Sequence, residues 1–151
     1  MEWTTHALSG IVAGYSITGG DWRGGIVGGV AGVISDLDEP KSKFGRMFFP
    51  ISYPLNSMFG HRTFTHSLLF AILLSVIILP FTKLWVSLSV FAGIIAHIVG
   101  DMLTGTVLLF YPLRQPIGIR IPPITFTLID RLTRVALLAV LGFIVWQEIQ
   151  I

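Results

Sequence analysis

Seven side chains that can bind a metal stand in four short groups of an otherwise apolar chain: His6; Asp36 and Asp38; His61 and His66; His97 and Asp101. The set contains all four histidines of the protein. Ionisable groups embedded in apolar sequence are costly to desolvate, and one shared cation compensates several of them at once. Imidazole and carboxylate without thiolate suit zinc, manganese or iron, and the carboxylates also admit magnesium. Seven candidate ligands exceed the three or four that one zinc ion takes from protein, so one or two divalent ions are expected, zinc being favoured. Paired ions clamp the attacking and leaving oxygens of a phosphoryl centre, which makes phosphoester hydrolysis the natural chemistry.

Each group carries more than ligands. Asp36-Leu37-Asp38 closes a helix, where carboxylates face the negative end of the macrodipole and call for a nearby cation. His61-Arg62-Thr63-Phe64-Thr65-His66-Ser67 packs two imidazoles, a guanidinium and three hydroxyls into one short run. Thr63 or Thr65 there could simply cap the following helix. Capping leaves His66 unexplained, because an imidazolium is disfavoured at a helix N-terminus whereas a neutral, metal-bound ring is not. Arg62 is the candidate bidentate donor to a phosphate oxygen and to charge developing in a transition state. His97, Asp101 and Thr104 share one helix face; a plain hydrogen-bonded His–Asp pair is the structural alternative. Thr65, Ser67 and Thr104 are expected to orient the imidazoles, and Asp38 is the candidate general base. Arg114 and Arg120 read equally as phosphate contacts of the substrate and as contacts to lipid headgroups.

The elements that must position these groups are helices. Of 151 residues, 53% are hydrophobic and 12% charged, well under the roughly 25% charge of a soluble domain. The expectation is a single domain over residues 1–151: an all-α integral membrane protein, a compact bundle of about five short transmembrane or partly inserted helices with two long cytoplasmic loops. The hydrophobic periodicity places the helices at about 5–19, 24–35, 65–80, 84–110 and 133–150. Gly24, Gly28 and Gly32, Gly25 and Gly29, and Gly10 and Gly14 recur every fourth residue, the spacing that lets helix backbones touch inside a bilayer. These Gly-x-x-x-Gly faces suit packing within one chain or between copies, which admits a homo-oligomer. The loops span 36–63 and 111–132, and the alternation of Ile117, Ile119 and Ile121 in the second predicts a short hairpin or extended segment at the interface. With no cysteine, disulfides, thiolate ligands and cysteine nucleophiles are excluded. Met1 to His6 lacks the basic start of a signal peptide. A net charge of +2 does not point to nucleic acid as a partner.

Charge gives the orientation. With alternating helices, Lys41, Lys43, Arg46, Arg62, Arg114, Arg120, Arg131 and Arg134 fall on one face and only Arg23 and Lys83 on the other, which puts the long loops in the cytoplasm. The histidines took no part in that count, yet all four ligand groups come out near the cytoplasmic face. The expected localisation is therefore the cytoplasmic membrane, with the site opening to the cytoplasmic side.

Thr5-His6, Asp36-Leu37-Asp38, the His61 to Ser67 run and His97-Ile98-Val99-Gly100-Asp101-Met102-Leu103-Thr104 resemble, in this order and over nearly the whole chain, the YdjM family, described as inner-membrane-associated, metal-dependent hydrolases. A more distant similarity links the same mixture of helical histidines and aspartates to the zinc-dependent phospholipase C and P1 nuclease group, which cleaves phosphoesters. The resemblance implies a membrane-embedded, metal-dependent hydrolase, and because the site is expected to open at bilayer depth, the expected substrate is a phosphoester of a lipid or lipid-linked molecule at the cytoplasmic leaflet. Two other readings compete. Intramembrane His and Asp also mark metal-ion or proton transport paths, and a metal can simply hold short helices together in a non-catalytic membrane protein.

Overall fold

The structure is a computed structural model and describes residues 1–150. Its core is a tight packing of α1 (Trp3–Ile17), α2 (Trp22–Ile34) and α6 (Leu84–Thr104). Glycine makes that packing, and Gly28 is its centre. A Cβ on Gly28 would lie 2.4 Å from the Gly10 carbonyl oxygen and 2.8 Å from the Gly14 Cα, while one on Gly93 of α6 would lie 2.3 Å from the Gly28 carbonyl oxygen. Three backbones therefore meet with no side chain between them; the four-residue glycine spacing predicts the contact of α1 with α2, and Gly93 adds α6. Ala31, Ile94 and Ile98 fill the space beside this contact, and α5 (Leu68–Ile78) covers it through Ala71.

The connection from α2 to α5 is largely helical rather than a loop. A 3₁₀ turn over Ser35–Asp38 leads into α3 (Lys43–Met47) and α4 (Phe49–Phe59), and another over Phe64–His66 precedes α5. Ser42 caps α3 by accepting from the Gly45 N–H, and Asn56 of α4 donates to the Asp38 carbonyl, 2.7 Å away. Pro54 inside α4 masks this helix in the sequence.

The second long connection also differs from the expectation at both ends. α6 stops at Thr104 rather than near residue 110, because the next backbone groups bond elsewhere. Thr106–Val107 (β1) pairs antiparallel with Ile117–Gly118 (β2), the Leu108 N–H donates to the Arg62 carbonyl, and the Leu109 carbonyl accepts from the Leu68 N–H. Of the hairpin or extended segment expected over Ile117, Ile119 and Ile121, only Ile117–Gly118 is a strand, and its partner lies in the stretch expected to be helix. α7 (Pro123–Gln150) starts ten residues before the expected 133. Pro123 suits the first turn of a helix, and the Asp130–Arg134 pair, four residues apart, supports its polar first half.

All-α is thus the class, with one short ribbon. Among the described residues, α6 is the one helix long and apolar enough to cross a membrane by length and composition, and α5 is apolar but shorter. At 1.5 Å per residue, α1 and α2 rise only about 20 Å, short of the roughly 30 Å hydrocarbon core.

Candidate metal centre

Four elements bring the site together at one end of the glycine-packed core. α1 supplies His6, the turn after α2 supplies Asp36 and Asp38, the turn before α5 supplies His61, Arg62 and His66, and α6 supplies His97 and Asp101. His6, Asp38, His66, His97 and Asp101 are buried; Asp36, His61 and Arg62 are partly accessible. The ligand atoms fall into three overlapping groups, each within 4.8 Å: His6, His97 and Asp101; Asp36, His66 and His97; Asp38, His61 and His66.

Hydrogen bonds fix how two of the rings face the centre. His97 Nδ1 lies 2.7 Å from the Gly32 carbonyl, which can only accept, so this nitrogen carries the proton and Nε2 presents a lone pair. The Thr65 hydroxyl donates to Asp38 Oδ2 at 2.5 Å and so is left to accept from His66 Nδ1 at 3.0 Å. His66 Nε2 therefore also points its lone pair inward in the neutral ring, and the two Nε2 atoms stand 3.0 Å apart. Around them, Asp101 Oδ2 lies 3.3 Å from His66 Nε2, and Asp36 Oδ1 lies 3.8 Å from His97 Nε2. The His6 ring stacks on His97 with centroids 3.7 Å apart. His6 Nε2 lies 3.2 Å from Asp101 Oδ1 but out of hydrogen-bond alignment, so both nitrogens of this buried ring lack a partner. An orphaned buried polar group costs about 1–3 kcal/mol. Converging lone pairs, two carboxylates and a partnerless imidazole are the environment a divalent cation fits.

Asp38 works from behind His66. It accepts from His61 Nδ1 at 2.8 Å, from the Arg62 N–H at 3.1 Å and from Thr65, with His66 Nδ1 3.2 Å away. Burial pushes the Asp38 carboxyl up, but the hydrogen bonds from His61 and His66 outweigh it and hold the group well below the usual carboxylate range. Burial pushes His66 down, yet its bonds to Asp101 and Asp38 carry it up to about 9. Burial raises Asp36 above its ordinary value.

Arg62 adopts a left-handed backbone with φ of 61°, sparsely populated for a residue with a Cβ. Its N–H on Asp38 and its carbonyl on Leu108 hold that conformation. The side chain passes over Gly105, where a Cβ would lie 2.2 Å from Nη1, and sets Nε 3.0 Å from Asp101 Oδ2. A cavity of about 480 Å³ opens above the cluster, with Asp36, Glu39, Lys43, His61, Arg62 and Asp101 among its walls.

All seven predicted ligands and Arg62 thus gather in one place. Thr65 touches an imidazole and Asp38. Ser67 works on the backbone: its hydroxyl donates to the Phe64 carbonyl and accepts from the Phe70 N–H, capping α5. Thr104 Oγ1 donates to the Gly100 carbonyl and lies 3.4 Å from the Met1 amino group, which itself donates to Asp101 Oδ1 at 2.7 Å. Arg114 and Arg120 are exposed around β2 and lie outside the cavity walls. Three participants escaped sequence reasoning, the first of them the Met1 amino group on Asp101. The Gly32 carbonyl leaves no trace in residue type, and Lys43 of the cavity wall read only as a loop charge.

The chain that folds into this buried histidine–aspartate cluster at the end of a glycine-packed helical core belongs to a family of inner membrane proteins. Residues 1–150 match the family described as YdjM inner membrane protein, and the chain is a member of it. It is 35% identical over 123 residues to the inner membrane protein YdjM of Escherichia coli (strain K12), an alignment covering 76% of this chain and 61% of that protein. It is also 35% identical over 97 residues to YvsG, an uncharacterized protein of Bacillus subtilis (strain 168), covering 63% of this chain and 59% of the relative. The chain spans about three fifths of the length of these relatives. No solved structure matches it.

Proposed function

We propose that the protein is a membrane-embedded, metal-dependent hydrolase acting on a phosphoester at the cytoplasmic leaflet. The observation that carries this reading is the pair of inward-facing Nε2 atoms of His66 and His97, 3.0 Å apart, with Asp36, Asp101 and partnerless His6 beside them and a cavity above. His66, His97, Asp101 and Asp36 would hold one divalent ion, zinc first among candidates, with His6 completing the set. A cation there supplies Lewis-acid polarisation of a phosphoryl oxygen and a nucleophile at neutral pH.

The chain's own residues do the rest. Asp38 and Thr65 hold His66 in the tautomer that presents Nε2. His61, partly exposed at the cavity wall and hydrogen-bonded to Asp38, takes or returns a proton at its ring, with Asp38 as the buried carboxylate behind it. Arg62 leaves Asp101 to meet a phosphate oxygen with its guanidinium. Lys43 adds positive charge at the mouth, and Arg114 and Arg120 meet lipid headgroups on the same side. Positive-inside asymmetry supports a site on the cytoplasmic side.

Transport of a metal ion or proton is the second reading, favoured by buried His and Asp in a membrane protein, but all seven groups sit at one end of the core. Two measurements separate these readings: turnover of phosphoesters by purified protein, and metal uptake into proteoliposomes. Hydrolysis predicts turnover lost in His66→Ala and Asp101→Ala with no uptake. Full turnover in the double variant, or metal-driven uptake without turnover, overturns it.

A further inference from the structure

An apolar groove leads away from the polar cavity. Beside α2, a cavity of about 290 Å³ is walled entirely by apolar side chains, among them Val30, Val33, Phe44, Met47 and Ile51. A second, of about 300 Å³, runs on along α1 and α2 past Ile11 and Ile26. The two share Val30, Val33 and Phe44, and the second shares Trp3 with the polar cavity. Lys43, next to Phe44, stands at the junction with Nζ 5.2 Å from the centre of the Trp3 ring. The polar cavity and the apolar groove therefore adjoin at the Trp3 ring, with Lys43 stacked beside it.

We propose that this groove seats one acyl chain of a phospholipid whose phosphate lies in the polar cavity beside Arg62 and Lys43. The inference rests on the phosphoester reading above and names the substrate class. Three features select this occupant. The groove adjoins the site at Trp3, so head and tail of one molecule could occupy both. The junction carries positive charge, complementary to a phosphate. A tryptophan at the junction of polar and apolar regions is the amphipathic marker of a lipid headgroup level. A chain in the groove and a phosphate in the cavity would place the ester within reach of Arg62 and the histidines.

The test is native mass spectrometry of the full chain in detergent, treated with chelator so that no turnover occurs, with dioleoyl phosphatidic acid as probe. Val30 is exposed and lies on both stretches of the groove, so Val30→Trp fills it without burying new bulk in the core. Val76→Trp, on an equally exposed face of α5, is the control. The wild type and Val76→Trp are expected to retain one phosphatidic acid per chain, and Val30→Trp to lose at least about tenfold in affinity. Dioleoylglycerol, lacking the phosphate, should bind more weakly, and glycerol 3-phosphate, lacking the chains, should not be retained. Met47→Trp on the opposite wall repeats the test should Val30→Trp fail to fold. Equal retention in the groove variants and Val76→Trp, or phosphatidic acid held no better than dioleoylglycerol, overturns the proposal. Retention that depends on Val30, in a protein that holds no metal and shows no phosphoester turnover before the chelator is added, would overturn the hydrolase reading alone. Turnover of a lipid phosphoester unchanged in Val30→Trp would overturn the groove alone.

Discussion

The glycine-packed core and α7 solve the problem of an apolar sequence in opposite ways. In α1, α2 and α6 the backbones touch, and the buried ionisable side chains are tolerated because they collect in one cluster at the end of the packing. α7 is longer, at 28 residues, but touches the rest mainly through α1. Leu132, Val135, Leu138, Phe143 and Trp146 on it are all exposed. Its one buried polar residue, Asp130, accepts from the Glu2 N–H at 2.9 Å and pairs with Arg134, which also reaches Glu2 and Thr5. This knot fastens α7 next to His6 without contributing a ligand. The protein thus keeps its tightest packing for the helices that aim the candidate site and leaves α7 loosely held.

The contrast can be broken at two glycines. Gly28→Ala drives a Cβ into the backbones of α1 and is expected to destabilise the protein by about 3 kcal/mol or more. Gly142→Ala in α7 meets nothing within 4 Å and should be neutral or stabilising by up to ~1 kcal/mol. Thermal unfolding in detergent compares the two, and equal effects would contradict the division. Breaking the knot is the next largest perturbation. Asp130→Ala leaves the Glu2 N–H and Arg134 without their partner and should cost roughly 1–3 kcal/mol while leaving metal content unchanged. Loss of metal in that variant would show that α7 shapes the site. A smaller effect separates Thr65 from Ser67. Thr65→Ala removes the hydroxyl that accepts from His66 and should weaken metal affinity by about tenfold or more. Ser67→Ala removes a helix cap and should cost about 1 kcal/mol of stability with metal affinity unchanged. The mildest lever is pH. His66 without metal holds its proton up to about 9, so binding must displace it. Affinity measured by metal titration should therefore rise by about tenfold per pH unit below that value and flatten above it.

What the sequence disclosed follows the same division. Ligand identities and glycine spacing were legible because each depends on residue type, and the structure gathers His6, Asp36, Asp38, His61, His66, His97 and Asp101 as their placement on helices implied. Segments set by backbone hydrogen bonds to distant partners were not legible. The end of α6 at Thr104 depends on the carbonyl of Arg62 and the N–H of Leu68, which no local pattern announces. α4 hid behind Pro54, and the first turns of α7 behind Thr125, Asp130 and Arg131, of which Asp130 serves the contact to the start of α1 rather than a loop. The orientation of the rings was likewise invisible: His97 is aimed by a carbonyl of Gly32, a residue whose type mattered only for close packing.

The central claim is that His66 and His97 direct their Nε2 atoms at one cation. Metal analysis of detergent-purified protein, beside His66→Ala and Asp101→Ala, tests it most directly. About one divalent ion per wild-type chain, zinc favoured, is expected, with background content in both variants. No bound divalent metal in the wild type, or equal content in all three proteins, would contradict it.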